Sequence, residues 1–333
     1  MKIIVRTPNW LGDTLMALPA VESLRRHDSG AEVWIAAPPR VRDVFAGPEI
    51  GLPLFSGTPG SGANDPLRPA SAVRAARFDA GLLLTNSFGS AMTLALARVP
   101  ERWGYNRDGR GILLTRPVPF RRKEEPVHMV RYYLDLVEGL GFSTVPPEIR
   151  LSPTSEETAL ARSLLLAAGL DPARPLVVLH PGAAYGPAKR WPAERFSALA
   201  RLLQDRRTVE IAVTGTEQDR PLAETVRAGL LRPAADLTGK TTLRGLLAVA
   251  AEAAVFVTND SGPMHLANAL RTPVVALFGP TDPAVTAPFH EPRTILKTEA
   301  VCRPCLYRQC PYDHRCLAGI SADEAAAAVE NYL

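Results

Sequence analysis

The stretch 258–283, TNDSGPMHLANALRTPVVALFGPTDP, constrains the fold more than any other part of the chain. It follows the apolar β-branched run 255–257, and it contains a helix-compatible segment at 264–270 and a second apolar run at 274–278. A strand, a tight polar turn, a helix and a second strand together form a βαβ unit. The sequence therefore predicts two neighbouring parallel strands joined by a helix.

The polar turn of this unit has two interpretations. Ser261 suits the helix N-cap and Pro263 the first helical position, where a missing N–H costs nothing. Such a helix start directs free N–H groups and the positive end of the helix dipole outward, which suits a diphosphate. Asp260, Ser261 and Gly262 are equally typical of an ordinary cap and turn.

Strand and helix patterns alternate along the rest of the chain. Strands are predicted at 2–6, 32–36, 78–85, 176–180 and 210–214, and helices at 14–26, 91–97, 127–140, 154–170, 193–204, 221–230 and 243–251. This alternation favours parallel sheets covered on both faces. A break at Pro146 and a restart at 176 predict two such halves with a cleft between them.

Irregular segments interrupt this pattern. Pro19 predicts a kink in the first helix. The stretch 51–69 is rich in Gly, Ser and Pro, which is typical of a flexible surface loop. The stretch 102–120 is basic and glycine-rich and shows little periodicity.

Composition limits the class of protein. A length of 333 residues is enough for two domains, and 46% hydrophobic with 22% charged residues is typical of a soluble globular chain. No run of 18 apolar residues predicts a membrane span. The start MKIIVRTPNW reads as a strand rather than a signal peptide, so we expect a cytoplasmic protein.

Positive charge is concentrated in one segment. The formal net charge is +4, and nine Lys and Arg residues against four acids between Arg98 and Arg131 leave that segment at +5. A local basic patch favours a phosphorylated substrate, an anionic membrane surface or nucleic acid, and a merely solvated basic face is the alternative.

Loops that follow strands are the candidate binding sites, because open α/β sheets bind ligands at the carboxyl ends of their strands. After the first strand, Gly12 permits close backbone approach, and Asp13 suits either a general base or a helix cap. A cap of this kind contributes about 0.5–2 kcal/mol, so both roles remain open here.

Two further loops carry charge at such positions. The loop 180–192 contains Gly182, Gly186, Lys189 and Arg190 just before a helix, which suits a phosphate unless it is simply a solvent-exposed loop. It lacks the Walker spacing, and the absence of GxGxxG after the lead strands disfavours a dehydrogenase. In the loop 214–219, a carboxylate is placed to bind ribose hydroxyls.

The cysteines form one cluster near the carboxyl end. Cys302, Cys305, Cys310 and Cys316 have the spacing C-x2-C-x4-C-x5-C, with His314 between the last two. This count is typical of a structural metal site, and reduced thiols are the alternative. Disulfides are disfavoured in the expected compartment.

Taken together, these motifs resemble a known family. NWLGD at 9–13, HPG at 180–182, KRWP at 189–192, TNDSGPMH at 258–265 and FGPTDP at 278–283 are similar to motifs of the ADP-heptose:lipopolysaccharide heptosyltransferases, glycosyltransferase family 9. GYNRDGRG at 104–111 and the cysteine cluster look most like the heptosyltransferase II branch. The resemblance covers nearly the whole length.

The resemblance implies a GT-B fold, an α/β architecture of two Rossmann-like domains facing across a central cleft. It places an acceptor-binding domain at 1–155, an ADP-heptose-binding domain at 172–320, and a final helix at 321–333 that crosses back to the first domain. The implied reaction is an inverting transfer of L-glycero-D-manno-heptose from ADP-heptose to an inner-core heptose of lipopolysaccharide.

The resemblance also implies roles for particular residues. Asp13 corresponds to the catalytic base, Lys189 to the cation on the diphosphate, and Glu217 to the residue that binds the ribose. The remaining implied substrate-binding residues are Asn9, Gly12, Gly182, Asp260, Ser261, Gly262, Met264 and His265. Ala183 and Ala184 stand where some relatives carry hydroxyl residues, so backbone N–H groups would have to serve the phosphates there.

No cofactor is expected to be required, and a structural metal at the cysteines is the weaker alternative to none. The implied partners are ADP-heptose, a heptosyl-Kdo-lipid A acceptor and the cytoplasmic face of the inner membrane, peripherally, with no nucleic acid. Three alternatives stay open: a glycosyltransferase with another donor or acceptor, a nucleotide-sugar epimerase of the same fold, and a nucleic-acid binder. The last would show salt-dependent binding and would leave Asp13, Lys189 and Asp260 without a role.

Overall fold

A computed structural model describes residues 1–27, 30–57, 67–120 and 125–333. The chain divides into two compact units, Met1–Ile149 and Arg150–Leu333. Of the loop expected at 51–69, residues 58–66 lie outside the described residues, and Leu67 already begins a helix.

The first unit is a parallel sheet with helical connections. Its strands are β1 (Lys2–Arg6), β2 (Glu32–Ala36), β3 (Ala80–Leu83), β4 (Glu101–Asn106) and β5 (Arg116–Pro119). Its helices are α1 (Leu11–Met16), α2 (Leu18–His27), α3 (Pro39–Arg42), α4 (Leu67–Ala76), α5 (Phe88–Leu96) and α6 (Met129–Gly139). Within the described ranges the strand order is β2-β1-β3-β4-β5, so the order reverses between β1 and β3. Such a reversal opens a crevice at the carboxyl ends of the strands.

Local sequence explains where these elements begin and end. The helix predicted at 14–26 is two helices that meet at Ala17, and Pro19 lies in the first turn of the second, where a missing N–H is tolerated. The stretch 102–120, where the sequence shows little periodicity, contains β5 and all but the first residue of β4. Pro117 and Pro119 obscured β5, and both are tolerated because β5 is an edge strand.

The second unit is also a parallel sheet. Its strands are β6 (Leu176–His180), β7 (Glu210–Val213), β8 (Ala235–Asp236), β9 (Val255–Asn259), β10 (Val274–Phe278) and β11 (Arg293–Lys297). Its helices are α7 (Ser155–Ala167), α8 (Ala193–Arg206), α9 (Arg220–Ala228), α10 (Leu243–Ala251), α11 (Gly262–Ala269), α12 (Pro283–Thr286), α13 (Arg315–Ala318) and α14 (Ala322–Glu330). The order β11-β10-β9-β6-β7-β8 is that of dinucleotide-binding folds, with its reversal between β6 and β9.

Burial accounts for the apolar runs of this second sheet. Every residue of β6, β9 and β10 is buried, as expected for parallel strands covered on both faces. The βαβ unit predicted at 255–278 is confirmed as β9, α11 and β10. Helix α8 packs on this sheet through Phe196, Leu199 and Leu203, which are fully buried.

The final helix packs against α8 in the second unit. Ala325, Ala326 and Val329 of α14 lie in the same apolar cluster as Phe196 of α8, and Trp191 Nε1 donates to Ile320 O at 3.1 Å just before the helix. A face of small alanines fits closely against α8. These contacts of α14 belong to the core of the second unit. The crossing to the amino-terminal domain that the resemblance implied stays a prediction.

The segment expected between the domains also belongs to the second unit. Thr154 and Glu157 form a capping box at the start of α7. Arg244 of α10 is almost fully buried and donates to both carboxylate oxygens of Glu157, each at 2.8 Å, and to Ser152 O at 2.9 Å. These bonds fix α7 to α10, so the second unit begins at Arg150 rather than at 172.

Across the helices that the structure describes, none has both the length and the apolar character that a bilayer crossing requires.

Candidate active site

An ion pair lies where the strand order of the second sheet reverses. Lys189 follows β6 and Asp260 follows β9, and their Nζ and Oδ2 atoms are 2.5 Å apart. The two side chains are only 12% and 5% exposed. The structure therefore brings together two of the residues predicted from separate loops.

Other side chains fix this pair in place. Thr281, in the loop after β10, donates through Oγ1 to the same Asp260 oxygen at 2.6 Å. Lys189 Nζ lies 4.9 Å from the ring centroid of Tyr185, within range of a cation–π interaction. Sequence reasoning missed Thr281 and Tyr185, although both lie in motifs quoted for the resemblance or beside them.

A buried amide anchors the loop that carries Lys189. Asn259 is fully buried; its Oδ1 accepts from Trp191 N at 2.8 Å and its Nδ2 donates to Pro181 O at 2.8 Å. Both ends of the loop 181–191 are thus tied to the end of β9. Sequence reasoning assigned no role to Asn259, and the only signal was its place beside Asp260.

In the helix after Asp260 the predicted cap is confirmed, whereas the predicted place of Pro263 at the first helical position is wrong by one residue. Ser261 is the N-cap and Gly262 the first helical residue, so Pro263 is second. The Ser261 hydroxyl lies 3.1 Å from Thr258 Oγ1 and makes no side-chain bond to the helix N–H groups. Met264 and His265 are buried, so a ligand role for them would run through their backbone.

The loop after β7 turns one carboxylate inward and one outward. Asp219 is buried and accepts from Thr216 N at 3.0 Å, and a Cβ on Gly182 would lie 2.7 Å from its Oδ2. Glu217 is exposed and receives two hydrogen bonds from Arg220, which lower the pKa of the Glu217 carboxyl. Glu217 is therefore the carboxylate in this loop that a ligand can reach.

His180 ends β6 beneath this site. Its Nδ1 lies 3.1 Å from Thr214 Oγ1, and burial lowers the pKa of the imidazole from 6.5 to about 4. The ring is consequently neutral at physiological pH, and it contributes structure rather than charge.

In the first unit, Asn9, Gly12 and Asp13 lie together at the carboxyl end of β1. Trp10 is the N-cap of α1, which places Asp13 in the first turn rather than at the cap. Asn9 Oδ1 accepts from Arg6 Nη2 at 2.8 Å. Burial, and after it the charge of Asp13, raises the pKa of the Tyr133 phenol, so α6 packs close to the Asp13 carboxylate.

Several cations of the basic segment are already engaged within the first unit. Arg110 is buried, Arg102 donates to Leu113 O at 2.6 Å, and Arg131 pairs with Asp135 and Glu138 on its own helix. The charge available to a partner is thus smaller than the sequence count suggested. Arg121, Arg122 and Lys123 lie outside the described residues.

The four cysteines are free thiols, with Cys316 buried and the others partly exposed. Burial and then the nearby Cys302 raise the pKa of the Cys316 thiol. In the part of the chain that the structure describes, no three His, Cys, Asp or Glu side chains are arranged to hold a metal ion.

The sequence and the structure were compared with protein families, known proteins and solved structures. The model of glycosyltransferase family 9 (heptosyltransferase) matches residues 67–315. Lipopolysaccharide heptosyltransferase 2 of Escherichia coli K12 is 32% identical over 309 residues, 89% of this chain and 88% of that protein. Lipooligosaccharide heptosyltransferase 2 of Haemophilus influenzae is 30% identical over 312 residues, 89% of this chain and 88% of that protein. The structure of E. coli ADP-heptose lps heptosyltransferase II superposes with a TM-score of 0.83 at 26% identity, covering 100% of this chain and 98% of that one.

The neutral, buried His180 predicts a pH-dependent loss of stability in the second unit. As pH falls below 6.5 the unfolded imidazole takes up a proton, whereas the folded ring resists protonation until about 4. Stability present above pH 6.5 is therefore lost between these values, by up to about 3 kcal/mol. Amide hydrogen exchange of β6 and β9 measures this, and His180→Asn should flatten the dependence. The exposed control His27→Asn should leave it unchanged, and an equal slope in the His180 variant would contradict the assignment.

The Asn259 clamp predicts a large effect from a small change. Asn259→Asp keeps the acceptor for Trp191 N but loses the bond to Pro181 O and buries a charge, so the free energy of unfolding should fall by at least ~2 kcal/mol. Hydrogen exchange of the β9 amides measures this loss. The control Asn331→Asp, at the exposed end of α14, should change it by less than ~1 kcal/mol. Equal stabilities for the two variants would show that the clamp is unimportant.

Proposed function

The chain belongs to glycosyltransferase family 9, the heptosyltransferases, and from this we propose that it is a heptosyltransferase II. It transfers L-glycero-D-manno-heptose from ADP-heptose, with inversion, to the inner-core heptose of a heptosyl-Kdo-lipid A acceptor. Two relatives named heptosyltransferase 2 match this chain over 88% of their own length, which supports both the reaction and the acceptor class.

The observation that supports the donor site best is the buried pair Lys189–Asp260 at the strand-order reversal of the second sheet. A lysine ammonium has three donors, so one can remain on Asp260 while others reach a diphosphate. The start of α11 adds backbone N–H groups and the positive end of its dipole at the same edge. Glu217 is the exposed carboxylate for the ribose hydroxyls.

The reaction needs charge stabilisation on the donor side. Breaking the anomeric bond gives an oxocarbenium-like state while negative charge grows on the departing ADP. Lys189 and the N–H groups after Asp260 stabilise that charge, and each such donor is worth ~3–4 kcal/mol in comparable sites. The proposed mechanism assigns no step to a metal or cofactor.

The acceptor side needs a base. Asp13 takes the proton of the attacking hydroxyl, which makes the oxygen nucleophilic as the bond to ADP lengthens. Asn9 and Gly12 lie beside it at the carboxyl end of β1, where they can orient an acceptor sugar. Inversion follows because the attacking oxygen and the leaving ADP occupy opposite faces of the anomeric carbon.

Substitution of Asp13 and of Lys189 tests whether these residues take part in the reaction. We expect Asp13→Asn and Lys189→Ala each to lower kcat at least ~10²-fold, because one removes the base and the other the charge on the leaving group. Release of ADP from ADP-heptose in the presence of acceptor measures turnover, and trials with UDP- and GDP-sugars test donor choice. The exposed controls Asp313→Asn and Lys297→Ala should retain normal rates. A folded Asp13→Asn enzyme with normal turnover would overturn the assignment.

The acceptor is part of a lipid, and we propose that the basic segment between Arg98 and Arg131 holds the enzyme peripherally at the anionic cytoplasmic face of the inner membrane. Reversing the charges of Arg121, Arg122 and Lys123 should reduce transfer to a lipid-embedded acceptor and spare transfer to a short soluble one. Parallel assays on vesicles and on the soluble acceptor measure this, and equal losses on both would contradict a membrane role.

A further inference from the structure

The motif GYNRDGRG at 104–111 has no role in the mechanism above, yet two of its glycines, Gly104 and Gly109, help to place one side chain. A Cβ on Gly104 would lie 3.0 Å from Arg110 Nη2, so the glycine leaves room for the guanidinium. Gly109 adopts φ +74°, a left-handed conformation that starts the short helical turn Arg110–Leu113. The motif folds the chain so that Arg110 becomes fully buried.

Arg110 is buried among neutral partners. Its Nε donates to Tyr105 O at 3.0 Å, its Nη1 donates to Thr85 O, and its Nη2 donates to Asn86 Oδ1 at 3.3 Å. Each of these acceptors, within the described chain, is an uncharged oxygen. Burial lowers the pKa of the guanidinium only from a very high value, so the group stays charged. The charge of Asp108 acts on the guanidinium and raises its pKa, but none of the three acceptors named above is a carboxylate. A positive charge whose hydrogen bonds named above go to neutral oxygens therefore lies beneath this surface.

The residues above this charge are polar and partly exposed. Thr85 and Asn86 follow β3, at the strand-order reversal of the first sheet and beside β1, which leads to Asp13. Asn86 Nδ2 donates to Tyr132 Oη at 2.8 Å. The ring centroids of Tyr132 and Tyr133 are 5.2 Å apart. After burial, the charge of Asp13 raises the pKa of Tyr133, so this aromatic pair lies near Asp13.

An aromatic surface borders the same polar pair. The ring of Phe120 is 36% exposed and lies 5.8 Å from that of Tyr132. The guanidinium of Arg107 lies 4.2 Å from the Phe120 centroid, which adds a second positive charge at the rim. Amide and hydroxyl groups, exposed ring faces and positive charge are the groups that bind a charged sugar.

We propose that Asn86, Tyr132 and Phe120, above the buried Arg110, form a subsite that binds an anionic sugar residue of the acceptor, through its carboxylate or phosphate. This inference rests on the proposed function and adds the acceptor's charged group to it. A buried guanidinium with neutral partners favours an anion at the surface above it, because the low-dielectric surroundings screen its charge weakly. The subsite selects charged acceptors, while Asp13 acts on the neighbouring hydroxyl.

The test uses Asn86→Asp, which changes charge with little change in shape. The new carboxylate still accepts from Arg110 Nη2 and from the Tyr132 hydroxyl, so the fold should be retained. Calorimetry measures binding of a soluble inner-core oligosaccharide in three forms: intact, carboxyl-reduced and dephosphorylated. Wild type should bind the form that lacks the recognised anion at least ~10-fold more weakly than the intact form. Asn86→Asp should bind the intact form at least ~10-fold more weakly than wild type does, and it should bind the form without that anion as wild type does. The form whose loss matters identifies carboxylate or phosphate as the ligand.

Controls separate the possible failures. Asn331→Asp adds the same charge to the second unit and should bind every form as wild type does. Tyr132→Phe keeps the ring and should weaken binding of the intact form alone. Equal binding of all three forms by wild type, or no effect of Asn86→Asp on the intact form, would overturn the subsite. Failure of the proposed function is recognised separately, because wild type would then bind neither ADP nor ADP-heptose in the same calorimeter.

Discussion

The ion pair between Lys189 and Asp260 is the interaction on which the rest of the second unit's site depends. Its Nζ and Oδ2 atoms are 2.5 Å apart in a nearly buried setting, where removing either partner would leave an uncompensated charge. Thr281 and Asn259 hold the two loops around it, so a charged pair is kept at the edge of the sheet that binds ligands in folds of this order. A lysine held in this way is preorganised for a diphosphate, since little reorganisation is needed when the ligand's charge increases.

The first unit also places charged and polar side chains at the point where its strand order reverses. Asp13 lies in the first turn of α1 after β1, and Asn86 follows β3, so both belong to the reversal of the first sheet. The buried Arg110 supplies positive charge beneath Asn86. In the proposed mechanism, the first unit supplies a base and an anion-binding surface for the acceptor, and the second supplies a cation and backbone amides for the donor.

Sequence reasoning reached much of this arrangement because strand ends are visible as changes from apolar runs to polar turns. Strands β6 and β10 were predicted with the bounds that the structure has, and Lys189 and Asp260 were found in the loops that follow strands. The contacts that the sequence did not predict share one cause: residues far apart in the chain become partners only in the folded structure. Nothing beside Asn259 in the sequence indicates Trp191 and Pro181 as its partners. The space that Gly104 leaves for the buried Arg110 likewise becomes visible only in the folded chain.

The loops that carry Lys189 and Asp260, at the reversal of the second sheet, are proposed to bind the donor's diphosphate. A crystal structure of the chain with ADP tests this binding most directly. We expect a phosphate oxygen within about 3 Å of Lys189 Nζ, with the start of α11 facing the same diphosphate and Asp260 still bonded to Thr281. ADP bound with its phosphates away from Lys189 and from the α11 amides would contradict the account.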